Sequence, residues 1–282
     1  MAAVDLHFKT TLAKQNQPHL LTLHLTFLRR TSVGPVTIKI RDVKLGQRTS
    51  NVHISLIQGD CREEVVGYII QGNVSTESGI TLPTKWTLQP PPYPVDLAKV
   101  SKDEDANWAL VKIMPFAAFR KASTNIHLYL PRKGQQELSL ADEWIRFKHG
   151  EKFTMQSLGF VVDMFPQIVE QFRDDHNKLV KGTVPYADAT VQKKAKNQWA
   201  RFWYPTLLLN LEIKKVLPPE GVEWLFVRVR TKMIKEGRMD LEIVVIDEGG
   251  DVVALSQHVC LIIGAERNMI RGEEGKKLEG KL

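Results

Sequence analysis

The sequence predicts an α+β fold made of two copies of one antiparallel unit, each a four-strand meander laid around a buried helix. Three observations predict it: period-two alternation in two separate regions, the same order of elements in both, and an apolar helical stretch ahead of the second region. Alternation with period two sends successive side chains to opposite faces of a strand, so each run carries one dry face and one wet face.

The first region holds four such runs, at residues 21–28, 36–43, 52–57 and 64–71, with a turn at Gly59-Asp60 before the last. The second holds runs at 207–213, 224–230, 240–246 and 252–263, with a turn at Glu248-Gly249-Gly250-Asp251. Placed over one another, His24 falls on Asn210, Val52 on Leu241, and the Gly59-Asp60 turn near Gly249-Gly250. His24 and Val52 are 28 residues apart and Asn210 and Leu241 are 31 apart, a difference that a loop at Pro218-Pro219-Glu220 absorbs. Two copies of one unit explain this economically.

Ahead of the second meander, residues 143–147 read as a strand, and 157–165 and 168–172 read as helix. That helix is apolar on nearly every face, which predicts burial, and Pro166 predicts a kink or a fresh start after Phe165. A buried helix wrapped by an antiparallel sheet is the hotdog arrangement, so the reading is a double hotdog. Ahead of the first meander only a short helix, residues 6–14, is expected, and the first repeat reads as shortened at its front. The Pro-rich stretch 89–94 and the charged run 101–105 mark a linker. The organisation expected is therefore a first repeat over 1–83, a linker over 84–123, a second repeat over 124–268 and a disordered glycine- and charge-rich tail over 269–282.

Composition narrows the function classes. The 282 residues are 43% hydrophobic and 25% charged, ordinary for a globular chain. No run of 18 or more apolar residues exists, which argues against a membrane span, and the first residues lack the apolar core of a secretory signal. Two cysteines, Cys61 and Cys260, without CxxC spacing argue against a disulfide framework or a structural zinc and favour a reducing compartment. The cytoplasm is expected; the terminal Gly280-Lys281-Leu282 shares two letters with the peroxisomal address, which keeps that compartment as a lesser option. The net charge of +7 is densest at residues 192–201, where a solvated basic face is a better reading than a nucleic-acid site. A basic cleft also suits a polyanion such as coenzyme A.

The chain resembles the thioesterase-like superfamily, particularly its fungal members, and is distantly similar to bacterial type II acyl-CoA thioesterases. The resemblance rests on Phe27-Leu28-Arg29-Arg30-Thr31-Ser32-Val33-Gly34-Pro35 and Leu158-Gly159-Phe160-Val161-Val162-Asp163-Met164-Phe165-Pro166. It rests equally on Trp203-Tyr204-Pro205-Thr206-Leu207 and Val253-Ala254-Leu255-Ser256-Gln257-His258. It implies hydrolysis of an acyl or polyketide thioester of coenzyme A or an acyl carrier protein, with no cofactor beyond the coenzyme A of the substrate. Relatives also carry an extra strand and a Gly-Gly-Tyr-type helix start ahead of the point matching residue 1.

Thioester hydrolysis needs a carboxylate to activate water, donors for the developing oxyanion and an apolar slot for the acyl chain. Similar bacterial enzymes use an Asp on the buried helix, a Thr on the next strand and a Gln on the last strand. The Asp matches Asp163, set among Val161, Val162, Met164 and Phe165, where an acidic side chain needs either a catalytic reason or a pairing partner. The Thr position falls on Leu208, which has no hydrogen-bonding group, so Thr206 and Asn210, of the same strand parity, are the candidate substitutes. The Gln position falls on His258, beside Gln257; alternation turns one of the two inward, where it orients a carbonyl or protonates the leaving thiolate. Asp163, Asn210 and His258 are expected to converge, with Thr206 as helper.

Gly159 near the helix start is a candidate oxyanion site or a close helix contact. The aromatic group Trp199, Phe202, Trp203 and Tyr204 either lines an acyl pocket or packs a loop onto the sheet. His24 reads as structural because the first repeat shows no counterpart of Asp163. GxSxG, Walker, GxGxxG and HExxH motifs are missing from the sequence. Two other readings stand beside hydrolysis: a cyclase, dehydratase or isomerase on the same scaffold, and a non-catalytic binding or dimerising protein. Open sheet edges predict a homo-oligomer.

Overall fold

The structure, a computed structural model, describes residues 1–59, 61–112, 114, 117, 120–164, 167–172 and 201–265. The first half comprises helix α1 (Ala2–Thr10) and strands β1 (His19–Phe27), β2 (Thr37–Lys44), β3 (Thr49–Gln58) and β4 (Arg62–Gly72). A connecting segment carries helix α2 (Leu97–Val100) and strand β5 (Trp108–Leu110). The second half follows with β6 (Ile126–Pro131), β7 (Leu140–Phe147), helix α3 (Leu158–Asp163), β8 (Phe202–Trp203), β9 (Thr206–Ile213) and β10 (Leu225–Arg230). It ends with β11 (Ile234–Lys235), β12 (Arg238–Asp247), β13 (Val252–Leu261) and β14 (Ile263–Gly264).

Twelve strands join one antiparallel sheet in the order β2-β3-β4-β1-β9-β13-β12-β10-β7-β6-β5, with β11 on β12. Read outward from the β1–β9 seam, the two meanders have the same order, β1-β4-β3-β2 and β9-β13-β12-β10. At the seam His24 faces Asn210, the two residues that the sequence repeat superposes. A residue paired with its own counterpart lies on the rotation axis, so the halves are related by a pseudo-two-fold through this pair. Val52 and Leu241 face Ile69 and His258, which makes the latter two counterparts as well. Even the irregularities repeat: β1 slips by one residue at Leu21 and β9 at Leu207. Close approach beside the axis is handled in two ways. A Cβ on Gly67 would lie 2.0 Å from the His24 carbonyl oxygen, whereas its counterpart Ser256 donates a hydrogen bond to the Asn210 carbonyl at 2.5 Å.

One face of the sheet wraps α1 and α3. Leu23, Val52, Ile69, Leu209, Leu211, Leu241 and Ile243 from that face pack with Val4, Phe8, Leu158, Val161 and Val162 of the helices in one buried cluster. Each large aliphatic side chain so removed from water contributes about 1.5–3 kcal/mol. Thr154 and Ser157 start the helical segment with a reciprocal capping box, satisfying donors that the first turn leaves free.

The opposite face of the second half is covered by the connecting segment, through Leu88, Val100 and Trp108 against Tyr129, Trp144, Trp224, Phe226 and Val244. Arg228 and Asp142 form a buried two-point ion pair at 2.6 and 2.7 Å there, and Arg228 also donates to the Pro90 carbonyl.

Several expectations change. α1 begins four residues before the predicted start and ends at Thr10. The segment read as linker supplies β5, which pairs with β6. Residues 167–172 are a 3-10 helix. Phe165, Pro166, the basic stretch 192–200 and the tail from 266 lie outside the described residues. On the outer edge of β2 no strand pairs among the described residues, whereas its counterpart β10 pairs with β7.

Candidate active site

The site is built where the C-terminal end of α3 meets the first residue of β9 and the last residues of β13. Asp163 is the final residue of α3. Thr206 opens β9 and donates its hydroxyl to Asp163 Oδ1 at 2.9 Å. Burial pushes the Asp163 carboxyl up to about 6, against the Thr206 hydrogen bond and the Arg120 charge, which both favour the ionised form. Crowding by protein and contact with water pull apart here, because 41% of the Asp163 side chain is still exposed. The exposed edge tempers the rise without reversing it, and it is the edge at which a water or a substrate reaches the carboxylate.

Thr206 reaches this face because of the slip at Leu207. Beyond the slip, Leu209, Leu211 and Ile213 point to the helices, and Leu208, Asn210 and Glu212 point away. Uninterrupted parity would put Thr206 with the outward set; the extra residue at 207 turns it inward, opposite buried Cys260. The Cys260 sulfur lies 3.7 Å from the Thr206 oxygen. Burial pushes the Cys260 thiol up to about 12, so it stays protonated and has a hydrogen to give.

His258 is buried, and its tautomer follows from its neighbours. Ser256 has one hydroxyl hydrogen, and the Asn210 carbonyl, which only accepts, takes it at 2.5 Å. The 2.9 Å contact between Ser256 Oγ and His258 Nε2 must then be donated by the histidine, leaving Nδ1 as a bare acceptor. Nδ1 has no hydrogen-bond partner and lies 3.6 Å from Asp163 Oδ1. Burial lowers the His258 pKa to about 4, so the ring is neutral at neutral pH. A neutral ring whose one N–H is engaged has no proton for a leaving thiolate. The acid role expected for His258 is therefore replaced by that of an acceptor beside the carboxylate.

A buried ionic group supports the site from behind. Arg120 donates to the Met164 carbonyl, one residue past Asp163. Burial lowers the Arg120 pKa, and the acidic groups Glu143, Glu170 and Asp163 around it oppose that. Glu143, on the helix-facing side of β7, is pushed up to about 8 by burial, and its Oε2 has no hydrogen-bond partner. Tyr204 donates to buried Glu170 at 2.7 Å. Sequence reasoning missed this group. The usable signal was parity, since Glu143 shares its face of the strand with Ile145, an acidic residue in an apolar row.

The remaining predicted residues do not join. Asn210 points to the outer face, where its Oδ1 meets His24 Nδ1 at 2.6 Å, so the expected convergence with Asp163 and His258 does not occur. Gln257 faces Asn210 on that outer side, and Leu208 shares it. Gly159 sits where a Cβ would come within 3.1 Å of the Met1 sulfur, a close helix contact one turn from Asp163. Trp203 pairs with Ile263 in the small β8–β14 ladder, and Trp199 lies outside the described residues. The first half does carry a counterpart of Asp163, contrary to expectation. Met1 and Gly159 touch 158 residues apart, and the same separation relates Asp5 to Asp163 within the matching Val4-Asp5-Leu6 and Val162-Asp163-Met164. Among the described residues no three His, Cys, Asp or Glu side chains are grouped to hold a metal, and no helix is long and apolar enough to cross a membrane.

A double hotdog with a carboxylate at the end of its second helix defines the class, and comparison with known proteins agrees. Residues 1–72 match the acyl-CoA thioesterase N-terminal domain and residues 94–262 match the acyl-CoA thioesterase C-terminal domain. The chain belongs to this acyl-CoA thioesterase family. It is 38% identical over 294 residues to the thioesterase-like protein TwmA of Talaromyces wortmannii, covering 95% of this chain and 82% of that one. In fold it is similar to a candidate thioesterase II from Thermobifida fusca YX, with a TM-score of 0.63 and 18% identity over 92% of this chain and 84% of that one. A hot dog protein of unknown function from Alicyclobacillus acidocaldarius superposes with a TM-score of 0.59 and 17% identity, over 86% and 78% of the two chains.

Proposed function

We propose that the chain hydrolyses an acyl or polyketide thioester carried by coenzyme A or an acyl carrier protein, with Asp163 as general base. The observation that carries this is the Asp163 carboxyl, steadied by Thr206 at 2.9 Å and open over 41% of its side chain. A water at that open edge donates a hydrogen to the carboxylate, which turns a lone pair toward the thioester carbonyl. As it attacks, Asp163 takes a proton, the C–O bond forms, and collapse of the tetrahedral intermediate breaks the C–S bond. The proton then passes to the departing thiolate. Thr206 holds the carboxylate in register, and the buried, neutral His258 does not compete for the proton.

The test is release of free thiol from short, medium and aromatic acyl-CoAs by wild type and Asp163→Asn. The amide keeps an oxygen for Thr206 and loses basicity, so turnover is expected to fall by about a hundredfold or more with the fold retained. Equal turnover in the variant, or no thiol release from any thioester by wild type, overturns the proposal.

A further inference from the structure

The ionic group behind Asp163 and Thr206 has no task in the hydrolytic chemistry, yet it is tied to both of them through the chain. Arg120 donates to the Met164 carbonyl, one residue beyond Asp163. Tyr204, two residues before Thr206, donates to buried Glu170 at 2.7 Å. Glu143, on β7, is 4% exposed. The group thus holds the chain on both sides of the 2.9 Å hydrogen bond between Thr206 and Asp163.

A cation in such a place is costly unless carboxylates share its charge. Burial works against the Arg120 guanidinium, and Glu143, Glu170 and Asp163 are the carboxyl groups that favour it. They are not equivalent. Glu143 is pushed up to about 8 by burial, so it is protonated while Asp163 titrates and leaves the guanidinium charge to others. Glu170 accepts from Tyr204. Asp163 is the one of the three with an open edge, 41% of its side chain, and the Arg120 charge favours its ionised form. A carboxylate at the carbonyl end of a helix also meets the partial negative charge of the last carbonyls, which a cation placed there offsets. α3 is six residues long and ends on Asp163, and Arg120 binds the carbonyl of the residue that follows.

We propose that Arg120 is a positioning residue for the general base: its hydrogen bond to the Met164 carbonyl fixes the end of α3, and its charge holds Asp163 in the carboxylate form. This rests on the reading of Asp163 as the base of a thioester hydrolase. It adds a residue that acts on the substrate only through Asp163.

The experiment reads Asp163 directly, by carbon-13 NMR titration of the full chain labelled at aspartate carboxyls, with the Asp163 signal identified by its loss in Asp163→Asn. kcat/KM for acyl-CoA hydrolysis is measured over the same pH range. Arg120→Gln is neutral and shorter. It is expected to raise the Asp163 pKa by about half a unit, less than loss of the Thr206 hydroxyl does, because the Arg120 charge is the weaker of the two influences and the carboxylate is partly solvated. At alkaline pH, where Asp163 is ionised in every variant, its kcat/KM is expected to fall about tenfold because the end of α3 is no longer held. Arg120→Lys keeps the charge and should keep the wild-type Asp163 pKa. Since Arg120→Gln leaves buried carboxyls without their cation, Arg120→Gln/Glu143→Gln is measured as well. Its second change replaces a carboxyl that is already protonated, and the same half-unit rise is expected. An unmoved Asp163 pKa in both neutral variants overturns the inference even if Tm and activity fall, because Arg120 would then serve packing alone. A wild-type alkaline rate in both overturns it too, as does a lysine variant that shifts as far as the glutamine one. A raised Asp163 pKa with no thiol release by wild type would sink the hydrolytic reading and leave the hold of Arg120 on Asp163 standing. Thiol release with an unmoved pKa would do the reverse.

Discussion

Removing the Thr206 hydroxyl should move the acid limb of the pH profile rather than lower the whole of it. A base works only when ionised, so kcat/KM for thioester hydrolysis is expected to fall tenfold per unit below the Asp163 pKa of about 6. His258 does not compete for this limb, since its own pKa is pushed down to about 4. The Thr206 hydroxyl favours the charged carboxylate, and a hydrogen bond to a charged group is worth about 1.5–3 kcal/mol, or roughly one to two pKa units. With 41% of the Asp163 side chain exposed, water replaces part of that bond, which brings the expected shift to about one unit. Thr206→Val should therefore place the limb near about 7, costing roughly fivefold in kcat/KM at about pH 6 and almost nothing at about pH 8. The assay is thiol release trapped by a dithiodipyridine reagent from about pH 5 to about pH 9. A uniform loss across that range would refute the reasoning, because it would mean that Thr206 orients Asp163 without tuning its charge. So would a wild-type limb near the ordinary carboxylate value.

Other perturbations separate the parts of the site. Asn210→Ala should leave kcat/KM within about twofold, since its side chain meets His24 on the far face of the sheet; a hundredfold loss would put it back in the chemistry. Arg120→Met strips the cation from among Glu143, Glu170 and Asp163 and is expected to cost about 3–5 kcal/mol, lowering Tm by roughly 5–9 °C, with Arg120→Lys between the two. An unchanged Tm would show that the carboxylates are not held by Arg120. Asp163→Asn should raise Tm at neutral and alkaline pH. The folded pKa, about 6, lies above the reference value of 3.8, so stability due to this group is full below 3.8 and lost as pH rises through about 6. The variant's advantage should accordingly vanish in acid, and a Tm gain independent of pH would contradict that linkage.

Much of the architecture was legible because it is periodic. Alternation in 21–28 and 207–213 set the dry faces of β1 and β9, and superposing His24 on Asn210 located the seam residue by residue, since the fold pairs these two with each other. Asp163 stood out as a charge in an apolar helix. What parity could not show is where parity stops. Thr206, Leu208 and Asn210 share one face in an unbroken strand, and that count grouped Thr206 with the two residues that turn out to point away. The slip falls inside Leu207-Leu208-Leu209, a run of identical side chains in which an extra residue leaves no mark. The matching slip at Leu21 sits in Leu20-Leu21, equally featureless.

The recurrence of the slip says what kind of feature it is. Two strands slip at equivalent residues, each beside its own half's helix, Thr206 against Asp163 of α3 and Leu20 on the same cavity as Asp5 of α1. The slip therefore belongs to how this sheet bends around a helix rather than to either local sequence. It is also what delivers residues 20 and 206 to the helix side, where one is a leucine and the other a threonine. The functional difference between the halves is thus written on a shared backbone by a few substitutions, Leu20 against Thr206, Ile69 against His258 and Gln71 against Cys260, together with Lys9, which neutralises Asp5. Placing a threonine at 20 would supply a hydroxyl near Asp5 but no acceptor in place of Ile69. On this geometry Leu20→Thr alone should create no second hydrolytic site, and only a variant that also replaces Ile69 with histidine and removes Lys9 could do so.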